Sequence, residues 1–114
     1  QSIKKGAYER DASKLGLSFP LTAGVSAAVQ DTVAAMGGEV HNAQYCSGLD
    51  KCRDTVKAAA AGKLDCSYIE GMACPNGCID GPDTVGDFHI TKVALTKYAA
   101  AAPNKQAAQD KHTK

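Results

Sequence analysis

Large apolar side chains are scarce in this sequence. It has no Trp and two Phe, and Leu, Ile, Val and Phe together number 19 among 114 residues, whereas 20 residues are Ala. So small a share of bulky apolar residues is typical of disordered chains when the net charge is also high. Here 13 basic and 12 acidic residues leave a net charge of +1. We therefore expect a folded domain with a small core that packs against a partner or against another part of a longer polypeptide.

Other shortages exclude whole classes of protein. Two Arg and four Tyr give neither the basic surface nor the stacking aromatics of a nucleic-acid-binding domain. The longest apolar runs, the Ala tracts at 58–61 and 99–102, are far shorter than the roughly 18 residues of a membrane span. The polar first residues lead into no apolar segment of a signal peptide. We predict a cytoplasmic protein that has neither nucleic acid nor a membrane as a partner. The odd number of Cys residues, five, favours reduced thiols over a disulfide framework.

Apolar periodicity predicts an α/β fold with the element order (α)βαβαβα. Helices are predicted at 3–15, 25–36, 49–61 and 85–98, and strands at 17–22, 39–46 and 66–72. Short connections between alternating strands and helices imply a layered parallel sheet with helices packed on it. Three strands are few for a buried parallel sheet. We therefore expect residues 1–102 to be part of a larger domain and residues 103–114 to form a flexible polar tail.

Local signals refine these helices. Gly16 is the predicted end of the first helix. Residues 47–50 and 84–87 each match a capping box, which predicts helix starts immediately after Ser47 and Thr84. Helical spacing predicts that Leu49 and Val56 are buried.

One segment carries the chemistry: EGMACPNGCIDGP, residues 70–82. Cys74 and Cys78 lie four positions apart in a Gly- and Pro-rich loop that leaves the carboxyl end of a predicted strand, where ligands bind in open α/β sheets. Thiolates are soft ligands suited to zinc, copper(I) or iron–sulfur clusters. Gly77 and Gly81 allow the backbone to approach an inorganic cluster, and their amides can donate hydrogen bonds to its sulfurs.

Two thiolates do not complete a tetrahedral site, so further ligands are needed from this chain or from elsewhere. Cys46 is the best further candidate, while Cys52, on the apolar face of its helix, and Cys66, at the start of a strand, fit better as small buried hydrophobic residues. Glu70 could bond loop amides or help to move protons, and the structural role is favoured. Cys74 and Cys78 could also be ordinary loop thiols or a redox dithiol, although thioredoxin-type pairs have two residues between the Cys rather than three.

The motif EGMACPNGCI at 70–79 resembles the last of three signature motifs of the iron-only hydrogenases, and the wider resemblance runs from Leu17 to about Tyr98. It implies the C-terminal part of the domain that carries the H-cluster, a 4Fe–4S cubane joined through a thiolate to a di-iron unit. On this resemblance Cys74 ligates the cubane, Cys78 bridges the cubane to the di-iron unit, and Met72 packs beside that unit.

The resemblance also sets expectations for function. The family's two earlier motifs, which supply the remaining cluster ligands, are absent from these 114 residues. We therefore expect a chain that binds no cluster alone but contributes to a parent that reduces protons reversibly to dihydrogen with electrons from a ferredoxin-like donor. The loop continues as IDGPD where prototypical members have a triple Gly, which is closer to sensory branches of the family. Two alternatives stay open: a non-catalytic iron–sulfur redox or dihydrogen sensor, and a structural zinc or scaffold domain.

Overall fold

The fold is a small α/β arrangement built around two parallel strands. A computed structural model describes Gly6 and residues 11–106. Its elements, in chain order, are α1 (Lys14–Leu17), α2 (Gly24–Ala35), β1 (Gln44–Ser47), α3 (Leu49–Ala60), β2 (Ile69–Met72), one turn of 3-10 helix (Cys78–Asp80) and α4 (Phe88–Ala100). The predicted fold class, a layered α/β fold with a parallel sheet, is confirmed.

The sheet register decides which side chains share a face. β1 and β2 are parallel, with Tyr45 opposite Glu70 and Cys46 opposite Gly71. Because successive strand residues point to opposite faces, these two pairs lie on different sides of the sheet. The carboxyl ends of both strands, at Ser47 and Met72, lie side by side.

Helices lie on both faces of this sheet. On one side, the Cys52 thiol of α3 donates to the carbonyls of Cys46 and Met72 at 3.5 and 3.4 Å. On the other side, the Tyr68 hydroxyl donates to the Ser26 carbonyl of α2 at 3.2 Å. The two strands are thus held between α3 and α2 as the middle layer of three.

The N-terminal part differs from the prediction. Within the described residues the first helix covers only Lys14–Leu17, and Gly16 lies inside it rather than after it. The side chain of Ser13 begins this helix by accepting from Gly16 N at 3.0 Å. Residues 3–5 and 7–10 of the predicted helix lie outside the described residues.

The predicted strand at 17–22 is wrong. After α1 the chain makes consecutive turns, in which Leu21 N donates to Ser18 O and Gly24 N donates to Leu21 O, each at 3.0 Å. Because these turns satisfy the backbone locally, the segment pairs with no strand, and the described sheet has two strands instead of three. The other two strands are shorter than predicted: the stretch before Gln44 and the residues 66–68 stay outside the sheet.

Both predicted capping boxes are wrong. α3 begins after Gly48, a residue with φ 96°, and no side chain among the residues that the structure describes caps it. The Ser47 hydroxyl is instead engaged by the loop that carries Cys74. α4 begins later than expected, because Asp87 itself caps it by accepting from the amides of His89 and Ile90 at 2.9 and 3.2 Å.

The core is small, as the composition predicts. Its buried apolar residues among those described are Ala28, Cys46, Ile79, Ala99 and Ala102. The predicted burial of Leu49 and Val56 is wrong, since they are 71% and 57% exposed. Both lie on α3, whose half-buried positions are the small residues Cys52, Thr55, Ala58 and Ala59.

The C-terminal segment is tied to the body of the domain as far as Gln106. Lys14 N donates to Asn104 O at 2.8 Å, and the Asn104 side chain donates to Asp11 O at 3.2 Å. Residues 107–114 of the predicted tail lie outside the described residues. No helix of the described part of the chain is both long and apolar enough to cross a membrane.

Candidate metal centre

Cys74 and Cys78 lie on the loop that follows β2, at the carboxyl edge of the sheet. β2 ends at Met72, two residues before Cys74, and Cys78 begins the 3-10 turn. β1 ends beside them at Ser47. This is the edge of a parallel sheet at which ligands generally bind, so the position predicted from the sequence is where the structure brings the two cysteines.

Both thiols of this loop are available for a ligand. All the described cysteines are free; Cys74 is half-buried and Cys78 is exposed. Among the described residues neither the Cys74 nor the Cys78 sulfur takes part in a hydrogen bond, in contrast with the thiols of Cys46 and Cys52, which donate to backbone carbonyls. The loop therefore presents two soft donors that the fold leaves unused.

Ser47 holds this loop against the end of β1. Its hydroxyl donates to the Cys74 carbonyl at 3.3 Å and accepts from the Asn76 amide at 2.9 Å. The Asn76 side chain in turn donates to the Asp80 carboxylate at 2.9 Å. Asn76 has a φ of 66°, a conformation that Asn tolerates better than most residues. These bonds hold the loop backbone at Cys74 and Asn76 and join Asn76 to Asp80 on the far side of Cys78.

Gly77 is where the loop meets the N-terminal segment. It is buried with φ 93°, and a Cβ there would collide with the Pro20 carbonyl oxygen and lie 3.0 Å from Thr22 N. The neighbouring Ile79 is buried too, and its amide donates to Pro20 O at 3.4 Å. Residues 20–22, which were predicted to be part of a strand, thus pack against the loop at Gly77. This close packing explains why position 77 is Gly.

The amides of the two predicted cofactor-binding glycines donate inside the loop. Gly77 N donates to Cys74 O at 3.1 Å, and Gly81 N donates to Cys78 O at 3.2 Å. A Cβ on Gly81 would lie 3.6 Å from Cys74 Sγ, so its backbone passes close to that thiol. Hydrogen bonds from these amides to a cluster stay a prediction, and such bonds would have to be shared with the loop carbonyls.

Met72 and Glu70 lie on the strand that leads into the loop. The Met72 carbonyl accepts from Gly48 N at 2.8 Å, and its side chain is half-buried; its place beside a di-iron unit stays a prediction. Glu70 is 7% exposed, and its carboxylate accepts from Ala23 N at 2.7 Å and from Ser26 N at 2.9 Å. It therefore caps the N-terminus of α2, the structural role expected of it.

The other cysteines lie apart from this loop. Cys46 is buried on the α3 side of the sheet, and burial, reinforced by a hydrogen bond with Cys52, raises the pKa of its thiol. Its buried sulfur already donates to Glu70 O at 3.4 Å, which argues against Cys46 as a further ligand. Cys66 is half-buried just ahead of β2. The proximity of Cys46 and Cys52 was not predicted from the sequence, although their separation of six residues across a strand-to-helix turn is a signal for it.

The donor set decides which inorganic group these residues fit. Among the described residues no three His, Cys, Asp or Glu side chains are grouped so that they could hold a metal ion. Cys74 and Cys78 alone would therefore supply only part of a ligand set. A 4Fe–4S cluster is held by four Cys thiolates, and two accessible thiols on one rigid loop fit half of that set. In a complete cluster of this kind the other two ligands would come from outside the described residues.

Comparison with known proteins agrees with this interpretation. Residues 2–82 match the family model described as "Iron only hydrogenase large subunit, C-terminal domain". A stretch of 71 residues is 34% identical to the "Cytosolic Fe-S cluster assembly factor NAR1" of Scheffersomyces stipitis. The aligned stretch covers 57% of this chain and 12% of that protein. The chain thus spans about an eighth of the relative's length, and the matched family region includes Cys74 and Cys78 but ends before α4. The chain belongs to the family of the iron-only hydrogenase large subunit, C-terminal domain, whose members are iron–sulfur proteins.

Proposed function

We propose that Cys74 and Cys78 are two of the four thiolate ligands of a 4Fe–4S cluster, and that the remaining ligands come from the rest of a hydrogenase-like polypeptide. The observation that carries this proposal is that neither thiol has a hydrogen bond within the described part of the chain, on a loop that Ser47 holds at the sheet edge. Such a cluster supplies one-electron chemistry when bound. Membership of the iron-only hydrogenase family supports the same assignment.

The residues of this chain would do three things for the cluster. Ser47 and Asn76 keep the Cys74 backbone fixed, so that little ordering is required when the cluster binds. The Gly77 backbone packs closely on residues 20–22 and would hold the loop at a fixed distance from that segment. Asp80, held by Asn76 at 2.9 Å, would add a carboxylate to the loop that holds the cluster, and this negative charge would lower the reduction potential of the cluster.

The finer proposal concerns the di-iron part of the H-cluster. Cys78 is the more exposed of the two thiols, and it would be the ligand shared between the cubane and the di-iron unit, with Met72 packing beside that unit. The parent protein would then reduce two protons to dihydrogen reversibly, with electrons from a ferredoxin-like donor. This role requires more of the polypeptide than the present chain contains.

A non-catalytic iron–sulfur role is the second candidate. It is favoured by the relative named as a cytosolic cluster assembly factor rather than as a hydrogenase, and by the carboxylates of Asp80 and Asp83 at the loop where prototypical family members have Gly. In this role the cluster would be held or passed on, or would sense redox state or dihydrogen, without turning over protons. The relative's name also supports the cytoplasmic location expected from the sequence.

The test is iron and acid-labile sulfide analysis, with EPR, on the anaerobically purified native polypeptide that contains this chain. We expect the wild type to hold a cubane, and C74S and C78S each to lose most of its iron and sulfide. The matched control is C66S, a half-buried cysteine outside the loop, which is expected to keep its cluster. Zinc in place of iron, or full cluster content in the double variant C74S/C78S, would contradict the proposal.

Measurements on the same samples distinguish a hydrogenase from a non-catalytic iron–sulfur protein. An enzyme gives iron in excess of the cubane, infrared bands from carbonyl and cyanide ligands, and dihydrogen evolution with a reduced mediator. A non-catalytic protein gives the cubane signal alone and no dihydrogen. In both cases loss of the cubane in C74S and C78S is the shared requirement.

A further inference from the structure

Cys46 and Cys52 form a second pair of thiols, separate from the metal-ligating loop. The position that a Cβ would take on Gly71 lies 3.4 Å from Cys52 Sγ and 3.6 Å from Cys46 Sγ. Gly71 is the partner of Cys46 across the sheet. Both sulfurs therefore lie over the same pair of strand residues, on the face that α3 covers.

The surroundings of these sulfurs keep them together. The Cys46 thiol donates to Glu70 O at 3.4 Å, and the Cys52 thiol donates to Cys46 O at 3.5 Å and to Met72 O at 3.4 Å. The tight turn at Gly48, with φ 96°, carries the chain from β1 into α3 and brings Cys52 back over Cys46. The pair is thus a product of the fold and not of chance side-chain motion.

The two thiols differ in access and in reactivity. Cys46 is 5% exposed, while Cys52 is half-buried. Burial and the hydrogen bond with Cys52 raise the pKa of the Cys46 thiol. Since the thiolate is the reactive form, Cys52 is the thiol that meets an external reagent first, and Cys46 is placed to react with it afterwards.

From this arrangement we infer that Cys46 and Cys52 are a redox modification site, at which a small-molecule disulfide converts the two thiols into one reversible disulfide between β1 and α3. In the first step the Cys52 thiolate attacks the reagent disulfide, forms a mixed disulfide and releases one reagent thiol. In the second, the Cys46 sulfur attacks Cys52 Sγ, its proton leaves to solvent, and the second reagent thiol departs. Two protein thiols are oxidised, and one reagent disulfide is reduced to two thiols.

This site is independent of the proposed cluster. Neither Cys46 nor Cys52 belongs to the loop at 74–81, and the disulfide would form with or without iron. The disulfide would join the two ends of the short segment from Cys46 to Cys52, which the fold already holds close together. It would join the residue before Ser47 to the first turn of α3, and so would fix the edge of the sheet on which the loop is braced.

The experiment uses the complete 114-residue chain, incubated with oxidised glutathione and mapped by trypsin without reduction. Trypsin cleaves after Lys51, between the two cysteines, and no other described Cys lies in either of the resulting peptides, 15–51 and 52–53. A Cys46–Cys52 disulfide joins these two peptides, with the loss of two hydrogen atoms, while Cys66, Cys74 and Cys78 stay together in peptide 64–92. We expect the joined peptides to be the main product of the folded chain and to fall at least several-fold in denaturant.

Two variants test the order of the steps. C46S is expected to stop at the mixed disulfide of Cys52 with glutathione, and C52S is expected to leave Cys46 unmodified, while far-UV circular dichroism shows that each retains its helices. The inference is overturned if the folded wild type yields no joined peptides, if Cys52 pairs with a cysteine of peptide 64–92 instead, or if Cys46 in C52S reacts as fast as Cys52 in C46S.

Discussion

Replacement of Glu70 by Gln is expected to destabilise the domain, because among the described residues this carboxylate is the only side chain that caps the N-terminus of α2. Ala23, at the start of the helix, has φ 68° and provides no side-chain hydrogen bond. Glu70 reaches across from β2 and accepts from Ala23 N at 2.7 Å and from Ser26 N at 2.9 Å. It also places a negative charge at the positive end of the helix dipole.

The expected magnitude follows from what E70Q retains. The amide oxygen still accepts one of the two hydrogen bonds, but the amide nitrogen now faces a backbone N–H, and the charge is lost. A hydrogen bond to a charged group contributes about 1.5–3 kcal/mol and a helix cap about 1 kcal/mol. Because Glu70 is 7% exposed, water cannot replace the lost partner. We expect E70Q to lower the free energy of unfolding by about 2 kcal/mol, which for a domain of this size lowers Tm by about 10 °C.

The assay is urea and thermal denaturation followed by far-UV circular dichroism on the 114-residue chain. The matched control is E39Q, the same chemical change at an exposed residue ahead of β1, where the free energy of unfolding should change by less than about 0.5 kcal/mol. If E70Q is as stable as E39Q, the carboxylate does not hold α2 to the sheet, and the reasoning fails.

Two further predictions concern the loop that carries the candidate ligands. G77A should cost about 3 kcal/mol and loosen the loop, because Ala is strained at φ 93° and its Cβ collides with the backbone; G62A, at φ 72° in open space, should cost about 1 kcal/mol, and equal costs in denaturation would refute the packing argument. S47A removes the acceptor of the Asn76 amide and should speed hydrogen exchange at that amide about tenfold, whereas T96A, which removes a hydroxyl bonded only within its own helix, should leave that exchange unchanged.

The sequence predicted the fold class and the location of the candidate site because both depend on local patterns. Apolar spacing predicted α2 within one residue of its bounds. The Gly- and Pro-rich stretch predicted a loop with two cysteines at the carboxyl end of a strand, and the structure places Cys74 and Cys78 on such a loop after β2. Such signals are carried by neighbouring residues and need no knowledge of distant contacts.

Distant contacts were the hardest part of the fold to predict. The alternation at residues 17–22 is typical of a strand, but the segment turns on itself and supports Gly77 and Ile79 instead. Ser47 has the sequence environment of a helix cap, yet its hydroxyl bonds a loop 27 residues away. Glu70 caps a helix 44 residues away. A single sequence shows which side chains can make such bonds, but not which partners the fold brings to them.

The small core and the half-complete ligand set have one physical consequence in common. Leu49 and Val56 on α3 and Ile90 on α4 leave apolar surface exposed, whose burial against another part of a polypeptide would contribute about 25 cal/mol per Å². In the proposed function, the cluster takes two thiolates from this loop and two from elsewhere, so the free energy of cluster binding adds to that of docking. Cluster loss should then weaken the association of this domain with the rest of the protein, and C74S and C78S should weaken it to the same extent as removal of iron from the wild type by a chelator. Limited proteolysis of the native polypeptide checks this, and equal resistance of the iron-loaded and iron-depleted forms would contradict it.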